Sequence, residues 1–281
     1  MSQTVGVIGA GTMGHGIAQV AAQAGHRTLL FDVAAPLAQR GLARIGDNLS
    51  EGVKRGKVTA QVREQTLERL SATATLEDLA PCDVVIEAAP EDLALKQALF
   101  ARLSKICSSS ALLASNTSAL SLTELAASAE HPARVVGMHF FNPVHLMKLL
   151  ELVRAYQTSD ATMVAARAFG ASLGKQIVEV QDHPGFASTR LGIALGMEAI
   201  RMVEEGVASA GDIDRAMELG YGHPMGPLKL TDLVGLDVRL SISEYLYREL
   251  GTANFRPPQL LKKMVRAGKL GKKSGQGFYS Y

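Results

Sequence analysis

The chain contains few cysteines, few aromatic residues and no strong excess of charge of either sign. Its 281 residues include two cysteines, Cys82 and Cys107, which have neither CxxC spacing nor histidine or cysteine companions at metal-ligand distances. We therefore expect reduced thiols and no metal site. The formal net charge is +2 and no long basic run is interleaved with aromatic residues, which disfavours a nucleic-acid partner.

Long apolar runs are also missing. No run approaches the ~20 residues of a membrane span, and no leader with basic, apolar and cleavage segments precedes the first strand pattern. We expect a cytoplasmic enzyme or binding protein that does not contact membranes. The composition, 47% hydrophobic and 20% charged, is typical of globular proteins, and the length favours two domains with separate cores.

A glycine-rich turn follows the first predicted strand, residues 4–8, and leads into a helical pattern. In such a turn the first glycine permits a tight bend, the second lets a pyrophosphate approach the backbone, and the third lets the helix pack closely on the strand. The next strand ends at Asp32, where a carboxylate binds a ribose 2′-hydroxyl and repels a 2′-phosphate. This favours NAD over NADP. The turn residues expected to contact the cofactor are Gly9, Gly11, Thr12, Met13 and Gly14.

Strand and helix patterns alternate over residues 1–182, whereas residues 183–281 show helical periodicity with almost no strand signal. Ser121 with Glu124 and Ser209 with Asp212 predict helix caps, and one apolar stripe runs over residues 228–247. We predict an α/β fold, a Rossmann-type doubly wound and mostly parallel sheet with a projecting helical pair, followed by a smaller all-α domain. Apolar residues beyond the needs of the smaller core suggest a homodimer through this second domain.

A histidine ends one predicted strand, and a glutamate lies within the next. His139 follows the apolar run 135–138, Asn142-Pro143 interrupts the chain, and Glu151 lies in the apolar run 149–153. If the strands lie side by side, the carboxylate can fix the imidazole tautomer and make the other ring nitrogen a proton acceptor. The alternative is a buried histidine bonded to a backbone carbonyl. His145, after the proline, is assigned to loop packing.

The predicted helical pair lies between Asp32 and the next strand, and its junction is basic. Lys54, Arg55 and Lys57 surround Gly56 at the tip, where they can grip the phosphates of a nucleotide-like group. The alternative is a solvated charge run that binds nothing.

Taken together, these segments resemble the 3-hydroxyacyl-CoA dehydrogenases, in particular the short, single-function form. The resemblance covers essentially the whole chain. It is carried by the motifs VIGAGTMG at 7–14, EAAPE at 87–91 with Lys96, SNTS at 115–118, HFFNPV at 139–144 with Glu151, DHPGF at 182–186, GP at 226–227 with Asp232 and GLD at 235–237, and GKKSGQGFY at 271–279.

The resemblance implies NAD-dependent, reversible oxidation of an L-3-hydroxyacyl-CoA with a short chain such as 3-hydroxybutyryl-CoA, as in β-oxidation and related fatty acid metabolism. His139 would be the base and Glu151 would orient it. Ser118 would bond substrate and cofactor, and the helical pair would hold the CoA moiety. The positions matching family contacts to NAD are Glu91, Lys96, Ser118, Asn142 and Lys273, and those expected near CoA are Asn48, Lys54 and Arg55.

One position departs from the family pattern. Relatives usually carry Asn before the arginine that here is Arg190, whereas this chain has Thr189, which keeps a hydroxyl donor but loses the amide; the neighbouring Ser188 is the alternative donor. Two other functions stay open on the sequence: a dehydrogenase of the same broad family that oxidises a sugar acid without CoA, and a non-catalytic NAD-binding protein.

Overall fold

The computed structural model describes residues 2–281, which divide into two compact units, residues 2–182 and His183–Tyr281. The first unit holds eight strands: β1 (Thr4–Ile8), β2 (Arg27–Phe31), β3 (Leu70–Thr73), β4 (Val84–Glu87), β5 (Leu112–Ser115), β6 (Val135–Phe140), β7 (Leu149–Arg154) and β8 (Gln176–Gln181). Its helices are α1 (Gly14–Gln23), α2 (Ala35–Lys54), α3 (Ala60–Glu68), α4 (Leu93–Ile106), α5 (Leu122–Ala127) and α6 (Asp160–Ser172).

All eight strands belong to one sheet with the order β3-β2-β1-β4-β5-β6-β7-β8. Every neighbouring pair is parallel except β6 and β7, which run antiparallel. The order reverses at β1, which lies between β2 and β4, and this is where doubly wound sheets bind ligands at the carboxyl ends of their strands. The predicted mostly parallel doubly wound sheet is confirmed.

The central strands are apolar on both faces because helices cover both sides of a parallel sheet. Strands β4, β5 and β6 are buried along their whole length. The helical pair is α2 and α3; α2 buries Ile45 and Leu49 in the core beside α1, and its basic tip is exposed. The predicted helix cap at Ser121 is present, since its hydroxyl accepts the Glu124 N–H.

The second unit consists of α7 (Ser188–Glu204), α8 (Ala210–Tyr221), α9 (Pro227–Val234), α10 (Leu236–Leu250) and α11 (Gln259–Arg266). The apolar stripe over residues 228–247 is two helices, because Gly235 adopts φ 106° and breaks the run. The predicted capping box at Ser209 is present: the hydroxyl accepts the Asp212 N–H and donates to the Asp212 carboxylate.

A buried aspartate anchors the C-terminal segment of this unit. Asp232 accepts the backbone N–H groups of Phe278 and Tyr279, both at 2.9 Å. A side chain at Gly277 would place its Cβ 2.1 Å from the Asp232 carboxylate, so glycine is required there. Part of the 271–279 motif is therefore explained by folding of the second unit.

Among residues 2–281, no helix combines the length and apolar character needed to cross a membrane. Within the same residues Cys82 and Cys107 are free and buried, as expected. Burial raises the pKa of the Cys82 thiol to about 12, so it is not a thiolate at neutral pH.

Candidate active site

His139 and Glu151 face each other across the antiparallel pair. They are register partners on β6 and β7, so their side chains leave the same face of the sheet. The imidazole Nδ1 lies 2.7 Å from the Glu151 carboxylate, and His139 and Glu151 are 5% and 1% exposed. The expectation that the two strands bring this pair within hydrogen-bond distance is confirmed.

The carboxylate determines which nitrogen of the ring carries the proton. With Glu151 ionised, Nδ1 donates to it, so the neutral ring has Nε2 as its proton acceptor. The ring also packs on Phe141, with centroids 4.4 Å apart. A neutral imidazole backed by a buried carboxylate is the arrangement of a general base whose protonated form is stabilised as it appears.

The glycine turn has the shape that a dinucleotide requires. A Cβ at Gly14 would lie 1.6 Å from the Gly9 carbonyl oxygen, whereas a Cβ at Gly11 meets nothing within 4 Å. Packing within the protein therefore explains Gly14, while the open space at Gly11 fits a ligand that approaches the backbone. Helix α1 has no side-chain cap and no acidic residue in its first turn, as an anion-binding helix start requires.

Asp32 follows β2 and closes the same turn. One carboxylate oxygen accepts the Ala10 N–H and the other accepts the Val33 N–H, both at 2.8 Å. These bonds fix the carboxylate beside the glycine turn and leave further lone pairs for a ribose hydroxyl. The residues of the turn and Asp32 thus fit the adenosine half of NAD.

An ion pair is buried at the carboxyl ends of β4 and β5. Glu87 is fully buried, and Lys96 Nζ lies 2.6 Å from its carboxylate. The same carboxylate accepts the Ser115 hydroxyl at 2.6 Å and the Ala89 N–H at 2.7 Å. Lys96 is 1% exposed, so the lysine expected to contact NAD is buried and also has an internal partner.

Glu91 extends this network to the loop after β5. Its carboxylate lies 3.3 Å from Lys96 Nζ and accepts both the Thr117 hydroxyl and the Ser118 N–H, the latter at 3.0 Å. On the same loop Asn116 accepts the Phe140 N–H, which connects it to the strand of His139. The predicted positions Glu91, Lys96 and Ser118 therefore lie in one hydrogen-bonded network at the ligand-binding edge of the sheet.

Comparison with known proteins identifies the family. Residues 4–183 match the model of the 3-hydroxyacyl-CoA dehydrogenase NAD binding domain, and residues 185–281 match the C-terminal domain of the same family. The chain belongs to the 3-hydroxyacyl-CoA dehydrogenase family. NAD is accordingly the cofactor of the first unit, as the glycine turn and Asp32 predicted.

Relatives match over nearly the full length. The chain is 48% identical to a probable 3-hydroxybutyryl-CoA dehydrogenase of Bacillus subtilis, over 98% of this chain and 96% of that protein. It is 46% identical to the 3-hydroxybutyryl-CoA dehydrogenase of Bradyrhizobium diazoefficiens, over 99% and 94%. The crystal structure of (S)-3-hydroxybutyryl-CoA dehydrogenase from Ralstonia eutropha superposes with a TM-score of 0.96 at 41% identity, covering 100% of this chain and 99% of that one.

Three further residues of this dehydrogenase are predicted to contact substrate or NAD: Asn142, Thr189 and Lys273. Asn142 is exposed after β6 and forms a cis peptide bond with Pro143. In the second unit Thr189 is half-buried in the first turn of α7, and Lys273 is exposed and paired with Asp237 at 2.6 Å. Their contacts to substrate or NAD stay predictions.

The basic tip of the helical pair is partly neutralised by its own helix. Arg55 lies 2.7 Å and Lys54 4.0 Å from the Glu51 carboxylate, and all three side chains are at least half exposed. Asn48, which precedes these residues on α2, donates its side-chain N–H to the side-chain oxygen of Gln19 at 3.2 Å. Exposed pairs of this kind are easily exchanged for a phosphate, so the prediction of a CoA contact stands untested.

His145 differs from His139 in its surroundings. It lies in the exposed loop after Pro143, where desolvation lowers its pKa, with smaller contributions from His15 and Lys175. Lys175 donates to the carbonyls of Val144 and Met147 and so holds this loop. No carboxylate orients His145 as Glu151 orients His139, judging from the bonds of the described residues.

Sequence reasoning did not single out Glu87 and Thr117 as functional residues. Glu87 organises Lys96 and Ser115, and Thr117 accepts the N–H groups of Ala119 and Leu120 while donating to Glu91. Both lie within motifs that carry the resemblance, at 87–91 and 115–118, and each lies at or just beyond the carboxyl end of a buried strand, where polar residues are costly unless they are paired.

Proposed function

We propose that this dehydrogenase catalyses the reversible, NAD-dependent oxidation of L-3-hydroxyacyl-CoA to 3-ketoacyl-CoA, with 3-hydroxybutyryl-CoA as a short-chain substrate. The observation that carries the proposal is the buried His139–Glu151 pair, 2.7 Å apart. The names of the relatives support the substrate class. We expect the enzyme to serve fatty acid metabolism of the β-oxidation type.

In the proposed reaction His139 removes the proton of the substrate hydroxyl through Nε2 as the C3–H bond breaks. The oxidised nicotinamide supplies the acceptor for the hydride. The imidazolium that forms donates from Nδ1 to the Glu151 carboxylate, which stabilises the new charge. In the reverse direction the imidazolium returns its proton to the oxygen of the 3-keto group as it is reduced.

Other residues are proposed to bind the substrate and the cofactor. Ser118, held through its N–H by Glu91, is proposed to bond the substrate oxygen and the cofactor. Thr189 is proposed to donate its hydroxyl to a substrate oxygen in place of the usual amide. Lys96, Asn142 and Lys273 are proposed as further NAD contacts, and the basic tip with Asn48 as the CoA contact.

The decisive assay mixes the protein with NADH and acetoacetyl-CoA and follows the loss of NADH absorbance. We expect turnover with the CoA ester and at least about 100-fold lower kcat/KM with free acetoacetate, because the phosphates of CoA supply binding energy that the free acid lacks. Equal turnover of the free acid would favour the sugar-acid type of dehydrogenase instead. Tight NADH binding without any turnover would mean a non-catalytic NAD-binding protein.

We also propose a homodimer through the second unit. Apolar side chains are strongly exposed there, including Leu219, Tyr221, Leu233 and Val238. Large apolar side chains left exposed are typical of an interface. Light scattering should give twice the mass of the chain, and Leu233→Asp should reduce it to one chain, whereas a monomeric wild type would refute the dimer.

A cytoplasmic location is proposed as well, and it is supported by the two reduced thiols. Fractionation of the source cells checks it: the enzyme should accompany soluble cytoplasmic markers, and recovery from an extracellular or envelope fraction would contradict the proposal.

A further inference from the structure

Asn116 follows β5 directly, and its side chain continues the sheet where the backbone pairing stops. The last register pair between β5 and β6 is Ser115 with Gly137, although β6 runs on to Phe140. Oδ1 of Asn116 accepts the Phe140 N–H at 2.9 Å. In an uninterrupted parallel pair a backbone carbonyl would accept this N–H. The amide oxygen therefore replaces one hydrogen bond of the ladder at the end of β6.

The amide of Asn116 is fixed on its own side as well. The residue is 8% exposed, and its backbone N–H donates to the Glu87 carbonyl at the end of β4 at 2.8 Å. Because the Phe140 N–H is a donor, the side-chain atom that faces it must be the oxygen, so the orientation of the amide is determined. The end of β6 is thus tied to β4 and β5 through one buried residue.

This contact joins two parts of the site that different strands supply. His139 and Glu151 come from the antiparallel pair of β6 and β7, which fixes the imidazole relative to its carboxylate. Ser118 lies on the loop after β5, two residues beyond Asn116, and Phe140 is the residue after His139. The pairing of β6 with β7 does not determine where the imidazole lies relative to Ser118. The bond between Asn116 and Phe140 connects the two parts.

The distance between these two parts has a narrow tolerance. In the proposed reaction Ser118 and Nε2 of His139 bond the same substrate oxygen, so their separation determines whether the hydroxyl proton lies in line with the base. Catalytic groups have to be held within about 0.5 Å of the productive geometry, and a displacement of about 1 Å can cost about 100-fold in rate. A hydrogen bond to the residue next to the base controls displacements of this size.

We propose that Asn116 is a positioning residue of this dehydrogenase: through the Phe140 N–H it sets the distance between the His139 imidazole and Ser118. The inference rests on the proposed function, because it assumes that these two groups act on one substrate. Asn116 acts through the base, whereas the glycine turn that holds the adenosine half of NAD is formed by other residues. Loss of the amide oxygen therefore lowers kcat and leaves the Kd for NADH unchanged.

The experiment measures kcat for the reduction of acetoacetyl-CoA at saturating NADH, together with the Kd for NADH. Asn116→Leu keeps the size of the side chain and removes its acceptor, so it should lower kcat roughly 10- to 100-fold and change Kd less than about threefold. Asn116→Asp should stay within about fivefold of the wild-type kcat, because an oxygen accepts the Phe140 N–H in either protonation state. If Asn116→Leu does not fold, Asn116→Ala takes its place in every comparison.

A double variant tests whether Asn116 acts through the base. Added to His139→Gln, Asn116→Leu should lower kcat less than about threefold further, because the group that it positions is already absent. A role in general stability would instead multiply the two losses.

Thr158→Val is the matched control, because Thr158 is a buried residue that bonds the other end of the same strand. Its hydroxyl donates to the Val135 carbonyl at 2.6 Å. Val135 lies four residues before His139, which is about 13 Å along the strand. The control should therefore lower Tm and leave kcat within about threefold of wild type.

Near-normal kcat in Asn116→Leu would overturn the proposal. So would a loss of kcat that Thr158→Val shares, a loss that multiplies with that of His139→Gln, or a Kd for NADH that rises as much as kcat falls. An Asn116→Asp variant as slow as Asn116→Leu would also overturn it, since the effect would then belong to the amide nitrogen. Inactivity of wild type toward acetoacetyl-CoA would instead refute the proposed function.

Discussion

Replacing two glycines of the same turn by alanine should separate folding from cofactor binding. At Gly14 the added Cβ lies 1.6 Å from the Gly9 carbonyl oxygen, so the start of α1 must move away from β1. At Gly11 the Cβ meets no protein atom within 4 Å and φ is outside the left-handed region. Gly14→Ala should therefore destabilise the fold, whereas Gly11→Ala should weaken only the binding of the cofactor at this turn.

The magnitudes differ accordingly. Overpacking costs about 1–3 kcal/mol and a contact this short belongs at the upper end, so Gly14→Ala should lower Tm by roughly 6–12 °C at about 2–4 °C per kcal/mol. Gly11→Ala should leave the free energy of unfolding within about 0.5 kcal/mol. Its methyl group holds the pyrophosphate off the backbone and loses a charge-assisted bond of about 1.5–3 kcal/mol, so the Kd for NADH should rise roughly 10- to 150-fold.

The assay is calorimetric, with scanning calorimetry for Tm and titration of NADH for Kd. Wild-type NADH affinity in Gly11→Ala would refute the assignment of the cofactor to this turn. A Gly14→Ala variant as stable as wild type would refute the packing argument.

Three further outcomes follow from buried charges and carboxylates. Burial lowers the pKa of His26 below 6.5, so as the pH falls the unfolded chain takes up this proton before the folded chain does. The free energy of unfolding should therefore fall as the pH drops from about 7.5 to about 5.5, and the Tm advantage of wild type over His26→Gln should shrink in the same direction. Asp32→Ser should reduce NAD-over-NADP discrimination in kcat/KM by roughly 10- to 100-fold, because the repulsion of the 2′-phosphate is lost, and unchanged discrimination would contradict this. Lys96→Met should lower the free energy of unfolding in urea by about 3–5 kcal/mol, because it leaves Glu87 unpaired. The double variant Glu87→Leu with Lys96→Met should lose less than the sum of the two single variants, whereas strict additivity would argue against a coupled pair.

The hydrogen bonds of His26 require the neutral form of its ring. Its Nδ1 accepts the Gln3 N–H at 3.2 Å, and its Nε2 lies 3.0 Å from the Ser172 hydroxyl, which itself donates to the Phe169 carbonyl. The ring must therefore donate from Nε2 and accept at Nδ1. Protonation would place two N–H groups against each other, which is why acid should destabilise this contact.

Local patterns predicted much of the fold and of the turn. The strand–glycine–helix spacing, the acid after β2 and the caps at Ser121 and Ser209 depend on neighbours within a few residues, and each is present in the structure. The juxtaposition of His139 and Glu151 was also accessible, because a chain reversal between two consecutive apolar strands leaves few other arrangements.

Other features depend on contacts that no local pattern reveals. Lys96 lies on a helix whose periodicity gives no sign that its ammonium group is buried against Glu87, since the pairing depends on how α4 packs beside β4. The hydrogen bond from Arg239 Nη1 to the Gly192 carbonyl is likewise visible only once α7 and α10 pack together. Gly235 looked compatible with one long apolar stripe until its positive φ separated α9 from α10.

The most direct test of the central claim is kcat for the reduction of acetoacetyl-CoA by His139→Gln, at saturating NADH and with His145→Gln as the matched control. The account predicts that His139→Gln loses about 10²- to 10⁴-fold in kcat with the Kd for NADH unchanged, and that His145→Gln stays within about threefold of wild type. Near-normal kcat in His139→Gln, or a larger loss in His145→Gln, would contradict the assignment of the base.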